Sequence, residues 1–218
     1  MNQSGLTSRL LERLPLDQRK RVRRWVRRVS RPAWLGTLRR TAPLSDRYGY
    51  DRGRPVDRYY IEKFLDDSRN AIRGRALEVK DSSYTDRFGS QVERRDVLDI
   101  DPANPKATVV ADLSAADGVP DNQFDCFVIT QTLQLIYDVQ AAVRHCHRIL
   151  RPGGTLLVTV PSVSRVVPGW GLESDFWRFT QPACARLFGD VFDPQQVTVL
   201  AYGNVLSSIA FLAGMACE

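Results

Sequence analysis

Residues 75–90, RALEVKDSSYTDRFGS, join an apolar run ending in an acid, Glu78, to a turn of ionisable and hydroxyl side chains: Lys80, Asp81, Ser82, Ser83 and Tyr84. An apolar strand that ends in an acid and enters a polar turn suits a nucleotide-like cofactor. Glycine is favoured in such a turn because it permits tight backbone geometry and leaves room for a ligand. Here Lys80, Ser82 and Tyr84 stand where those glycines would be. Two more acids close apolar runs further on. Asp99 lies in VLDIDP, with Asp101 beside it, and Asp112 lies in VVADLS.

These residues need elements that bring them to one place. From residue 75 onward, short apolar runs alternate with helical or turn segments: ALEV, RRDVLDID, ATVVADL, FDCFVIT and TLLVTVP. The helix DVQAAVRHCHRIL lies between the fourth and fifth, and Pro-Gly-Gly at 152–154 stops it and turns the chain into the next strand. Strands apolar on both faces, alternating with helices, predict a parallel sheet covered on both sides. In such an open sheet ligands bind at the carboxyl ends of the strands, near the switch in strand order. An acid after the second strand can accept hydrogen bonds from both hydroxyls of a ribose. A polar residue after the third can meet an adenine amino group. The tail QVTVLAYGNVLSSIAFLAGMA reads as one strand, a turn, and then a strand or helix.

The order of these runs resembles the class I S-adenosylmethionine-dependent methyltransferases, and within them the type 11 group. ALEV with its polar turn, VLDIDP, VVADLS, DNQFDCFVITQTLQLIYD and RILRPGGTLLVTVP carry the likeness, over about residues 60–205. DRGRPVDRYYIEKFL and DFWRFT look like pieces of a subgroup associated with sugar and glycan biosynthesis. The resemblance implies a Rossmann-like α/β sheet, mostly parallel with an antiparallel C-terminal strand, and S-adenosylmethionine as cofactor. It implies a methyltransferase acting on a small-molecule, glycan or natural-product intermediate, at oxygen. Glu78 matches the acid of the first motif, with Lys80 and Ser82 in the turn. Asp99 aligns with the ribose acid, Asp101 being the alternative. Asp112 matches the adenine-side acid, Leu113 presents backbone to the ring, and Gln131, in TQT after strand four, lies beside the methionine part. All three glycines of the acid-x-Gly-x-Gly-x-Gly pattern are replaced. A methyltransferase fold with lost or changed cofactor use, serving as a binding partner or in other chemistry, therefore stands as the alternative.

Methyl transfer from a sulfonium is a displacement, so the protein chiefly aligns acceptor, carbon and leaving sulfur. A hydroxyl acceptor also gains from a base. Asp175 is the candidate base, with Tyr137 and Asp138 behind it. Trp177, Phe176 and Phe179 are candidates for an acceptor wall, and Arg178 for holding an anionic or hydroxylated acceptor. Tyr59 and Tyr60 are candidates to close over the site, with a core role as the other reading. His145 and His147, spaced i, i+2 on a helix, face different sides and make poor joint ligands. No metal-ligand cluster and no GxSxG nucleophile motif is present in the sequence.

Charge divides the chain. Residues 1–58 carry 16 Arg or Lys against 5 Asp or Glu, and the remainder carries 15 against 20. The basic part contains DQRKRVRRWVRRVS, where Val22, Trp25, Val26 and Val29 fall at helical spacing in a sheath of arginine. Three readings of that helix stay open. It docks on its own domain or a partner subunit, as in a homo-oligomer; it makes peripheral contact with an anionic membrane; or it meets nucleic acid. No recognised reading motif supports specific nucleic-acid binding. The boundaries expected are a basic helical arm and linker over 1–54 and a methyltransferase-like α/β domain over 55–218. Four scattered cysteines without a CxxC pair argue against a disulfide framework or zinc site and suit a reducing cytoplasm. No apolar run is long enough to span a membrane, and the start lacks a signal-peptide core.

Overall fold

The computed structural model describes residues 15–30, 41–166 and 173–218. The chain forms two compact units. One comprises Met1–Tyr59 together with Gly203–Glu218, and the other is Tyr60–Tyr202.

The larger unit is built on five strands: β1 (Arg73–Val79), β2 (Gln91–Asp99), β3 (Val109–Val110), β4 (Phe124–Thr130) and β5 (Leu150–Thr159). They lie in the order β3-β2-β1-β4-β5, and every neighbouring pair is parallel. Strand side chains alternate between faces, and both faces are buried. Leu77, Phe127 and Ile129 point to one core with Ala142, Val143, Cys146 and Ile149 of helix α4 (Val139–Ile149). Ala76, Cys126, Val128 and Leu157 point to the other with Ile61 and Leu65 of helix α2 (Val56–Asp67) and Phe88 of helix α3 (Ser83–Phe88). This two-sided burial is the reason the strands read as continuous apolar runs. Burial pushes the Cys126 thiol up to about 12 and raises that of Cys146, so both are packing groups.

Asp138 caps α4 through its side chain, which accepts from Ala141 N–H. The chain passes from Ile149 directly into β5, so Pro-Gly-Gly sits inside the strand and not in a turn before it. There it forms a bulge: the β4–β5 register breaks between Phe124 and Cys126. Gly153 adopts φ +79°, and a side chain on Gly154 would stand 2.9 Å from the Arg151 carbonyl oxygen. His147 packs edge-on against Phe192, and His145 lies beside the Arg148 guanidinium.

The smaller unit contains helix α1 (Leu16–Ser30), the turns of residues 41–55 and the C-terminal helix α6 (Val205–Leu212). Pro55 bridges Ala216, Leu44 N–H donates to the Ala213 carbonyl, and Cys217 N–H donates to that of Arg54. The expected antiparallel C-terminal strand does not form among the described residues. Residues 197–204 run unpaired with the sheet, and the Val199 carbonyl accepts from the Gln181 side chain of helix α5 (Gln181–Gly189). Val199 still packs on the core, so the alternation read as a strand reflects one-sided burial without a ladder. The end of the tail is the helix α6, with a capping box between Asn204 and Ser207.

At the base of the sheet Asp96 is buried and ion-paired. It accepts from Arg75 Nε at 2.7 Å, from Arg94 at 3.1 Å and from the Thr108 hydroxyl at 3.1 Å. These partners outweigh its burial and hold its carboxyl below the usual range. A depressed carboxyl adds stability above its ordinary value of about 4, and that stability is lost as pH falls through the lower folded value. Asp96→Ala leaves the partly buried Arg75 guanidinium with the Gln123 side-chain oxygen as its remaining side-chain acceptor, so the loss should approach, without exceeding, the about 3–5 kcal/mol of a fully buried pair. Urea denaturation at neutral pH should show a loss of that order. The gap between wild type and variant should narrow on acidification, and a constant gap would count against the pair.

Candidate functional site

The strand order reverses between β1 and β4, and the carboxyl ends of these two strands are where such a sheet is expected to meet a ligand. The register brings the predicted residues to that edge. Glu78 pairs opposite Val97 and Val128, and Asp99 opposite Val110. Lys80, Asp101, Asp112 and Gln131 follow the ends of β1, β2, β3 and β4.

Lys80 has φ +75° and Gln131 has φ +49°. A side chain in this left-handed region costs roughly 1–2 kcal/mol, and such strain gathers at functional sites. The two residues flank the reversal point. Lys80 thus keeps the backbone bend that favours glycine while adding an exposed cation. Its N–H donates to the Leu98 carbonyl at 2.9 Å, and that of Gln131 to the Thr159 carbonyl at 2.9 Å, so both bends are tied to neighbouring strands.

Glu78 closes the turn from below. It is 2% exposed. Its carboxylate accepts from Tyr84 N–H at 3.0 Å and Thr85 N–H at 2.7 Å, at the start of α3. Burial drives its carboxyl up from 4.5 to about 7, against the lowering effect of these backbone donors. Ser82 donates its hydroxyl to Asp86, and Asp81 accepts from Ser83 N–H. The turn is therefore braced by its own side chains. Tyr84 lies against Phe88 and the second core.

Asp99 is half-buried. It accepts from Asp101 N–H at 3.0 Å and from the Asn104 amide at 2.6 Å. These hydrogen bonds, with Lys80 nearby, outweigh its desolvation and hold its carboxyl below the usual range. The same Asn104 amide donates to the Lys80 carbonyl at 2.8 Å. Asn104 thereby joins the turn after β1 to the turn after β2. In the sequence it reads only as an Asn-Pro turn residue, and its bridging role depends on a register that one chain does not display. Asp101 is exposed and caps Ala103 N–H. Asp112 is exposed and accepts from the Ser114 N–H and hydroxyl, while the Leu113 side chain is buried in the core.

A second cluster follows β4 and β5. Tyr137, 72% exposed, meets Phe176 edge-on with ring centroids 5.3 Å apart and stacks on Trp177 at 6.1 Å. The Gln134 carbonyl accepts from both Phe176 and Trp177 N–H, and Trp177 Nε1 donates to the Ile136 carbonyl. Gln134, which belongs to no motif and acts through its backbone carbonyl, thus pins the two loops together. Asp175 takes a two-pronged ion pair from Arg178, at 2.6 and 2.8 Å. That guanidinium lowers its carboxyl further, which leaves a fixed anion with little basicity. Phe179 is buried in the core and contributes no exposed wall. Tyr59 and Tyr60 diverge: Tyr59 lies under the Arg54 guanidinium in the smaller unit, and Tyr60 packs on Tyr202 in the larger. Among the described residues no group of three or more His, Cys, Asp or Glu is placed to hold a metal.

The buried Glu78 gives the pH dependence a definite sign. Unfolded, it loses its proton near 4.5; folded, it keeps it to about 7. The folded state binds the extra proton between these values, so stability declines as pH rises from 4.5 to about 7 and is level above. At about 1.4 kcal/mol per unit, this decline amounts to a few kcal/mol. Glu78→Gln lowers stability overall, because one N–H loses its acceptor, and it removes the decline. Denaturant midpoints measured on either side of this window should differ less in the variant. An equal difference in both proteins would deny Glu78 this role.

A family model described as a methyltransferase domain matches residues 82–158, beginning just past Lys80. The ubiquinone/menaquinone biosynthesis C-methyltransferase UbiE of Hahella chejuensis (strain KCTC 2396) is 41% identical over 68 residues, covering 31% of this chain and 27% of that protein. The same-named protein of Enterobacter sp. (strain 638) is 49% identical over 39 residues, covering 18% of this chain and 16% of that protein. The chain therefore spans less than a third of the length of these relatives. A SAM dependent methyltransferase from Archaeoglobus fulgidus superposes with a TM-score of 0.47 at 9% identity, over 61% of this chain and 67% of that one. The N-methyltransferase NodS from Bradyrhizobium japonicum WM9 superposes with a TM-score of 0.39 at 18% identity, over 48% and 62%. Residues 82–158 match a methyltransferase-domain model, and the parallel sheet they help to build is the fold that the resemblance to the class I methyltransferases implies.

Proposed function

We propose that the chain binds S-adenosylmethionine at the carboxyl edge of its sheet and directs a methyl group to a hydroxyl of a small-molecule or glycan intermediate. The observation that carries this reading is the joined pair of turns after β1 and β2, with an ionised Asp99 held between Asn104 and the Lys80 bend. The residues present fit the cofactor. On this reading Asp99, whose oxygens each keep a lone pair, takes the ribose hydroxyls, Asp112 takes the adenine side, and the Lys80 ammonium meets the carboxylate. Bound there, the cofactor supplies an electrophilic methyl carbon on a sulfonium.

On this reading the protein contributes alignment. Glu78 and Asn104 fix the two turns, so the cofactor groups find their partners without further ordering, which is the advantage of a preorganised site. The stacked Tyr137 and Trp177 offer an apolar face, and the Asp175–Arg178 pair offers a fixed acceptor and donor beside it. A face of that kind with polar groups at its side suits a ring bearing hydroxyls. Asp175 orients the acceptor hydroxyl by accepting its hydrogen bond, and its lowered basicity leaves the final proton to solvent. A second reading rests on Lys80, Ser82 and Tyr84: a turn without glycines, closed by its own hydrogen bonds, is also what a protein with changed cofactor use would carry.

Asp99→Ala tests the first reading. Removing an acceptor from ligand hydroxyls costs about 1–3 kcal/mol, or roughly 5- to 150-fold in affinity. Calorimetry on the folded variant should show that loss, and an unchanged affinity would move the role to Asp101 or remove it. Lys80→Gly separates the two readings. Relief of the left-handed strain should raise the melting temperature slightly, while loss of a partly exposed ion pair should weaken binding by about 0–1 kcal/mol. Tighter binding after this change would make Lys80 an obstruction and favour the second reading.

A further inference from the structure

We infer that α1 is a docking helix for anionic lipid surfaces. It is a 15-residue helix with no buried residue, and at about 1.5 Å per residue it is long enough to lie along a headgroup layer. Val22, Trp25, Val26 and Val29 form one stripe at i, i+3, i+4 and i+7. All four are exposed, Trp25 at 65% and Val29 at 62%. Exposed apolar side chains scattered singly need no explanation, but a contiguous stripe on one helix face does.

The contacts that tie the helix to its own unit are polar and lie outside the stripe. Arg27 pairs with Asp51, Arg28 Nε donates to the Arg52 carbonyl at 2.9 Å, and Arg28 also reaches Glu218 at 3.1 Å. The Arg52 guanidinium in turn donates to the Arg27 carbonyl at 3.1 Å. At about 100° per residue Arg27 lies nearly opposite the stripe, whereas Arg28 falls on the same flank as Arg21, seven residues earlier. The helix is thus held to its own unit by polar contacts at its C-terminal turn, while its apolar face is left outside.

Charge selects the occupant. Lys20, Arg21, Arg23 and Arg24 are exposed, and Arg21 and Arg23 flank the stripe on its two sides. An anionic bilayer takes both features together: apolar side chains enter the acyl boundary and the flanking guanidinium groups meet headgroup phosphates. A second copy of the helix would set arginine flanks against arginine flanks. A nucleic acid would neutralise the arginines but leave the Trp25 stripe in water.

The test uses the full chain and vesicles of two compositions: phosphatidylcholine alone, and phosphatidylcholine with one-quarter phosphatidylglycerol. The protein should sediment with the anionic vesicles and not with the neutral ones. It should be released when salt is raised from about 0.1 M to about 1 M, where screening shortens from roughly 10 Å to roughly 3 Å. Arg21→Gln with Arg23→Gln should lower partitioning about fivefold per charge. Trp25→Ser with Val29→Ser should lower it about tenfold or more, because the buried apolar area is lost. Both pairs are surface positions, and an unchanged melting temperature verifies the fold; the lipid and salt comparisons decide the matter on the unaltered protein. Failure to bind anionic vesicles overturns the proposal. So does full vesicle binding by the Trp25/Val29 variant, capture of single-stranded RNA in place of vesicles, or a dimer that this variant abolishes while vesicles bind nothing.

Discussion

The carboxylate of Glu78, buried beneath the end of β1, accepts the Tyr84 and Thr85 N–H groups and so determines how the chain leaves the central strand. The first N–H groups of a helix have no partner within it and must find one elsewhere. Here the acid supplies that partner from the preceding strand, which draws α3 back toward β1 and forces a sharp bend between them. The bend falls on Lys80, whose left-handed conformation is the local cost. Its carbonyl is then presented to Asn104, which also holds Asp99. One buried carboxylate therefore governs the shape of the first turn and, through Asn104, the position of the second.

The sheet makes this arrangement rigid. Its central strands are packed on both faces, and the parallel register leaves every carboxyl end on one edge. The groups at that edge differ in how they are held. Glu78 is neutralised upward by burial, while Asp99 and Asp175 are held ionised by hydrogen bonds and cationic neighbours. This division separates a buried, largely structural acid from two acids held in their charged form. The aromatic group of Tyr137, Phe176 and Trp177 is organised by backbone hydrogen bonds to Gln134 and Ile136, so its orientation is set before any ligand arrives.

Much of this was legible in the chain, for identifiable reasons. Apolar runs such as ALEV and FDCFVIT mark strands buried on both faces, and the acids at 78, 99 and 112 mark where they end. The helix after Asp138 announces itself through its cap and period. Other features need three dimensions. The tail alternates like a strand because Val199 packs inward, yet no ladder forms beside it among the described residues. Pro-Gly-Gly reads as a stop, but the ladder resumes around it as a bulge. Asp175 reads as a base from its neighbourhood in sequence, and Arg178, three residues on in an extended segment, holds it as an ion pair. Asn104 and Gln134 act through backbone partners that only the fold brings near. Phe179 shares a motif with two exposed aromatics, and its burial follows from the direction in which the chain re-enters the core.

The central claim is that the carboxyl edge, with its braced and glycine-free turn, is a working cofactor site. Calorimetric titration of the unaltered protein with S-adenosylmethionine, and with its demethylated product, tests this most directly. The account predicts saturable binding of both at one site per chain. Absence of heat with either ligand at millimolar concentration, from a protein shown to be folded, would contradict it.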